Sequence, residues 1–205
     1  MATYKKIEGF DNVYLVVPKK FGDDRGYFRE NYNRAEFKEN TGIDFKPQQI
    51  NESASVAMVV RGLHFRKGYE AKLVRCVEGS ILDVIVDIRK NSPSYGMVFA
   101  AVLSKENQRE LFVPKGFAHG FIALSKEGVN KIEYLVDKNY NKDEDRGYFF
   151  DGRLCDYLYE RVTNGEDIFP AFDWNWNSQE ESENYIRSEK DKQAKKFRPK
   201  ITGIK

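Results

Sequence analysis

Two histidines, His64 and His119, occur in the chain, and both stand beside glycines in β-prone surroundings, RGLHF and GFAHGF. An imidazole titrates near neutrality, which makes each a candidate general base and equally a candidate metal ligand. Spacing disfavours the metal. A transition-metal site inside a barrel draws on several His, often paired as HxH, with a carboxylate, and the residue two beyond His64 is Arg66. No metal and no cofactor are therefore expected. The cations near His64 are more informative. Arg61, Lys72 and Arg75 fall within fifteen residues of one another in VVRGLHFRKGYEAKLVRCVEGSILDVIVDIR. Buried cations need anionic partners, either protein carboxylates or a bound anion. A guanidinium suits a phosphate, and an ammonium suits a developing oxyanion. Arg75 alternates away from Lys72 and is expected to pair with Asp83 or Asp87. Singly, several residues also have plain structural readings. Either histidine can be a buried hydrogen-bonder, Tyr134 and Tyr140 can be core, and Cys76 can be a small buried hydrophobe. The turn VPKGFAHGF can be a tight hairpin that sets His119 near a cavity mouth.

The elements that must position these residues are short strands. NVYLVV, VVRGLHF, KLVRCV, SILDVIVDI, GMVFAAVLS, ELFVP, GFIALS and KIEYLV are separated by KNSPSYG, KENQ, PKG and KEG. Many short strands with frequent turns predict an antiparallel sandwich or barrel rather than alternating strand–helix units. In SILDVIVDIR, a period of two gives one ordinary core face, Leu82, Val84, Val86 and Ile88. Ile81, Asp83, Ile85, Asp87 and Arg89 share the other, which reads as the lining of a partly polar barrel or, more simply, as a solvent face. One helix is expected at NRAEFKENTG, capped by Asn33 and stopped by Gly42. From about residue 175 the chain turns densely charged. The expected organisation is a single domain over 1–175, with 176–205 as a charged C-terminal arm packed on it or partly mobile, mostly solvated.

Composition narrows the function. The 34 cationic and 32 anionic residues leave a net charge of +2 with no basic patch, so nucleic-acid binding is not expected. The opening MATYKKIEGF lacks an apolar signal core, and no apolar run is long enough to cross a membrane. Cys76 and Cys155 alone, in 205 residues, suggest a reduced, cytoplasmic protein.

The ordered stretches FGDDRGYFRENY, QQINES, VVRGLHF, KLVRCVEGSILDVIVDIRKNSPSYG, LSKENQRELFVPKGFAHGFIALS and SEKD resemble the dTDP-4-dehydrorhamnose 3,5-epimerases over residues 10–147, with a short echo at 188–191. The resemblance implies an all-β fold, a cupin-type antiparallel β-sandwich or jelly-roll barrel with a few short peripheral helices. It implies a metal-free isomerase that inverts carbons 3 and 5 of a dTDP-linked 4-keto-6-deoxyhexose. It implies His64 as the base, Tyr134 as the acid on the opposite face, Lys72 as the enolate stabiliser and Asp191 as the orienter of His64. Substrate contacts fall by the same likeness on Arg25, Glu30, Gln49, Asn51, Arg61, His119, Asp145 and Lys190. A homodimer is implied, with Arg25 serving the neighbouring site.

Three departures from the family pattern stand out. FRKGYEA is a shortened connection before Lys72, Gln49-Ile50-Asn51 lacks the family's central carboxylate, and residues 148–187 diverge. Asp83 accordingly competes with Asp191 as the partner of His64. Competing readings are a single-carbon epimerase on another nucleotide 4-keto sugar, a non-catalytic sugar-nucleotide binding module, and, last, a metal-dependent cupin. The binding module is disfavoured because simple binding needs no opposed acid and base.

Overall fold

A computed structural model describes residues 1–199. Each of the apolar runs named above forms a strand, and the strands assemble into two facing six-stranded sheets. The first sheet runs in the order β1 (Thr3–Lys6), β2 (Tyr14–Val17), β10 (Glu110–Val113), β7 (Lys72–Glu78), β12 (Asn130–Val136) and β5 (Gln49–Ser55). The second runs β13 (Asp145–Gly147), β6 (Val60–Arg66), β11 (Phe117–Ala123), β8 (Ser80–Asp87), β9 (Val98–Ser104) and β14 (Ile168–Phe172). All neighbouring strands in both sheets pair antiparallel. A separate two-stranded sheet is the hairpin of β3 (Lys20–Asp23) and β4 (Gly26–Arg29). This is the expected all-β sandwich.

Three apolar clusters hold the layers. Between the sheets, Val74, Cys76 and Ile132 of one meet Ile81, Ile85, Phe99 and Phe121 of the other. On the outer side of the first sheet, helix α1 (Arg34–Thr41) buries Phe37 against Phe112 and Phe45, with ring centroids 4.9 and 6.1 Å apart. Such aromatic pairs each add about 0.5–1.5 kcal/mol beyond area burial. Asn33 caps α1 through its side chain, and Gly42 ends it at φ +75°, as its sequence signals predict.

The outer face of the second sheet is covered by the divergent segment. Helix α2 (Gly152–Thr163), with Phe150, Phe169, Trp176, Tyr185 and Phe197, packs on Leu82, Val84, Val86 and Ala100. Strand β8 is therefore buried on both sides, and the reading of its charged face as solvent does not hold: Asp83 and Asp87 are fully buried. The arm packs on the domain, one of its two expected arrangements, and most of its described residues stay exposed while a few anchors are buried. Trp176, Tyr185 and Phe197 lie in the same cluster as sandwich residues, and Asp191 on the short helix α3 (Glu189–Lys192) is buried. Residues 200–205 of that arm lie outside the described part. Among the described residues no helix is long and apolar enough to cross a membrane.

Candidate active site

A cavity of about 390 Å³ opens between the sheets, lined from one side by β5, β7 and β12 and from the other by β6, β11 and β13. That size suits a small-molecule site. Alternation supplies most of the lining. Lys72 shares a face with the buried Val74 and Cys76, Tyr134 with Ile132, and Gln49, Asn51 and Ser53 point inward from β5.

Strand β6 departs from simple alternation, and the departure matters. Residues 61 and 64 should face opposite ways, yet Arg61 and His64 both line the cavity. Across the ladder His119 lies opposite His64 and Phe121 opposite Arg61, so two residues on β6, Gly62 and Leu63, lie against the single Gly120 on β11. This is a β-bulge, which re-aims side chains. Gly62, at φ +105°, sits in it, where an added Cβ would meet the His119 carbonyl oxygen at 2.6 Å and Gly120 Cα at 2.7 Å. Only glycine fits both that backbone conformation and that approach.

Each histidine is held by its own buried carboxylate. His64 Nε2 donates to Asp191 Oδ1 at 2.7 Å, leaving Nδ1 as the basic nitrogen. Burial pushes the Asp191 carboxyl upward, but His64, Ser188 and the Gly62 N–H outweigh it and hold it below the usual carboxylate range. Asp191 is thus an anion that fixes the tautomer and orientation of His64. His119 Nε2 donates to Asp83 Oδ1, also at 2.7 Å. Asp83 therefore partners His119 and leaves His64 to Asp191. His119 itself is buried within strand β11 and lines the cavity.

Opposite the histidines stand Tyr134 and Lys72. Burial, and then the negative charge of Glu70, raise the Tyr134 phenol above its ordinary value. Lys72 Nζ lies 5.9 Å from the centre of the Tyr134 ring. A base on one sheet and a protonated phenol with an ammonium on the other can take a proton from one face of a bound carbon acid and return one to the opposite face. Arg75 points away from the cavity and pairs with Glu133, not with Asp83 or Asp87. Asp87 instead binds Arg89 and Ser94. Among the described residues no three His, Cys, Asp or Glu side chains gather to hold a metal ion.

The family model described as dTDP-4-dehydrorhamnose 3,5-epimerase matches residues 8–199. The chain belongs to this family. It is an epimerase, and so an isomerase. The dTDP-4-dehydrorhamnose 3,5-epimerase of Methanothermobacter thermautotrophicus is 40% identical over 188 residues, 91% of this chain and 100% of its own length. The crystal structure of the enzyme of that name from Elizabethkingia anophelis superposes with a TM-score of 0.75 at 36% identity, covering 96% of each chain. The dTDP-6-deoxy-D-glucose-3,5-epimerase of Legionella pneumophila, solved with dTDP-4-keto-L-rhamnose, gives 0.76 at 31% identity, over 95% of this chain and 92% of its own.

Most of the residues singled out by resemblance to the epimerases meet at this cavity. Gln49, Asn51, Arg61, His64, Lys72, His119, Tyr134 and Asp145 line it. Asp191 reaches it through His64, and Lys190 through an ion pair to Asp145 at 2.6 Å. Arg25 and Glu30 do not line it. Arg25, at the tip of the β3–β4 hairpin, is exposed and paired with Asp23. Three charged lining residues, Glu52, Arg66 and Glu70, were not foreseen as site residues. For Arg66 and Glu70 the signal was present in the sequence as opposite charges flanking the Gly68 turn that joins two site strands.

Proposed function

We propose that the cavity binds a dTDP-linked 4-keto-6-deoxyhexose and inverts carbons 3 and 5 through enolate intermediates. The observation that carries this reading is the opposition of His64, tied to Asp191, and Tyr134 with Lys72 on facing sheets. His64 Nδ1 takes the proton from a carbon beside the ketone. The released electron pair moves into the carbonyl to form an enolate, whose oxygen faces the Lys72 ammonium. The enolate carbon then takes the Tyr134 proton from the opposite face, and solvent restores both groups. A phenol held protonated by burial gives up its proton only to a strong base such as an enolate carbon. Gln49, Asn51, Arg61, His119, Asp145 and Lys190 are the proposed substrate contacts, with the arginine on the diphosphate. The Legionella complex with a dTDP-keto sugar supports the substrate class.

Arg25 and Glu30 we assign to the cavity of a second copy, in a homodimer. The hairpin that carries Arg25 exposes Phe21, Tyr27 and Phe28 and, among the described residues, pairs with no other strand of its own chain. The two free, buried cysteines fit a cytoplasmic protein. The test is incubation of the purified protein with dTDP-4-keto-6-deoxyglucose and a coupled ketone reductase, with products resolved by NMR. Conversion to the product inverted at both carbons is expected. Inversion at one carbon would replace the reading with a single-carbon epimerase, and binding without any inversion would replace it with a binding module.

A further inference from the structure

The connection between β6 and β7 is short, and it places Glu70 inside the cavity with its side chain 6% exposed. A carboxylate so buried needs cationic or hydrogen-bonding partners, and Glu70 has two cations. Its Oε2 lies 3.2 Å from Arg66 Nε, and its Oε1 lies 3.4 Å from Lys72 Nζ. Arg66 is fixed further by donating to the Asn141 carbonyl at 2.7 Å and by stacking on Tyr140 at 4.6 Å. Lys72, by contrast, is a point charge on a flexible four-carbon stem. Among the described residues its single ion pair is the one to Glu70. Without that carboxylate, two cations would face each other across a confined space.

We infer that Glu70 is a positioning residue, whose carboxylate bridges Arg66 and Lys72 and holds the Lys72 ammonium beside Tyr134. The inference rests on the proposed epimerisation for its kinetic consequence but not for its structural one. The Arg66–Tyr140–Asn141 contacts make a rigid anchor, Glu70 transmits its position, and Lys72 takes its place from Glu70. The enolate stabiliser and the proton donor then stay in register during two successive inversions. Glu70 also acts on Tyr134 through space. The charged groups bearing on that phenol are Glu70 from the connection, Arg61 and Arg66 from β6 and Asp145 from β13, with Lys72 of β7 near its ring. The two histidines share the cavity from β6 and β11. Of these, Glu70 has the largest influence on the phenol after burial, and it favours the protonated form.

The experiment compares wild type with Glu70→Gln, which keeps the shape and removes the charge, and Glu70→Asp, which keeps the charge. In protein carrying carbon-13-labelled tyrosine, with the Tyr134 resonance assigned through Tyr134→Phe, Tyr134 should titrate at lower pH in Glu70→Gln than in wild type. In Glu70→Asp it should return toward the wild-type curve. Turnover of Glu70→Gln should fall by about 10- to 100-fold, the range that a misplaced group costs, with dTDP affinity within about twofold of wild type. Coincident Tyr134 titrations in wild type and Glu70→Gln, or wild-type turnover in Glu70→Gln, would overturn the inference. Wild-type protein that inverts no carbon would instead sink the proposed function, and the tyrosine titration would still decide the placement of Glu70.

Discussion

His64 and His119 face each other across two neighbouring strands, each tied at 2.7 Å to a different buried aspartate. The residue types were legible in the sequence, since the histidines, Lys72 and Tyr134 all stand in strand-like runs. The pairing was only half legible. Asp83 sits near His64 in the chain and faces inward by alternation, whereas Asp191 lies 127 residues away. Alternation says which way a side chain points, not which neighbour it meets. Distinct roles for the two carboxylates should separate in mutants. His64→Ala should keep its fold and its dTDP binding while losing about 10²–10⁴-fold in turnover. Asp191→Asn should follow it in kcat, because the anion that orients the base is lost. Asp83→Asn should weaken substrate binding more than kcat. Steady-state kinetics check this, and a kcat loss larger in Asp83→Asn than in Asp191→Asn would reverse the assignment of the base's partner.

At the level of elements, the eight apolar runs all became strands because a buried face enforces a period of two. The strands that escaped notice lack that pattern. Strand β5 reads QINESAS; it lines a polar cavity with one face and leaves the other exposed at a sheet edge. Helix α2 escaped because Leu154, Cys155 and Leu158 are its few buried apolar residues. Gly62 was a readable mark of the bulge, since a glycine within a strand often signals one. Strand β10 carries an uncommon feature, Glu110, 1% exposed with neither carboxyl oxygen hydrogen-bonded among the described residues. Burial raises it to about 8, against the opposing charges of Arg75 and Arg29. An unfolded glutamate titrates near ~4.3. Between those values the folded chain keeps a proton that the unfolded chain has lost, so folding stability declines as pH rises across that window. Glu110→Gln should flatten this dependence and raise Tm at pH near 8 relative to wild type. Thermal unfolding across the window tests it. Parallel Tm profiles for the two proteins would show that Glu110 is ionised in the fold.

For the whole molecule, the arm that begins at residue 176 does two jobs that composition concealed. Its charges suggested a solvated arm, yet Trp176, Tyr185 and Phe197 close one face of the sandwich, and the same segment delivers Asp191 to His64. Sparse aromatics among many charges are enough to dock a segment when each is buried fully, and an average over the segment hides them. The hairpin bearing Arg25 contributes nothing to the lining of its own cavity, which motivates the shared site of the proposed homodimer. Mixing Arg25→Ala with His64→Ala under exchange conditions should restore activity, because some mixed dimers regain one intact site. No recovery above the two separate mutants would mean that each chain completes its own site.

Turnover in deuterated water bears most directly on opposed proton transfer by His64 and Tyr134. The product should carry deuterium at both carbons flanking the ketone. Tyr134→Phe should wash deuterium into uninverted substrate from the His64 side while forming little inverted product. Inverted product free of solvent deuterium, or rapid inversion by Tyr134→Phe, would contradict the two-faced acid–base mechanism.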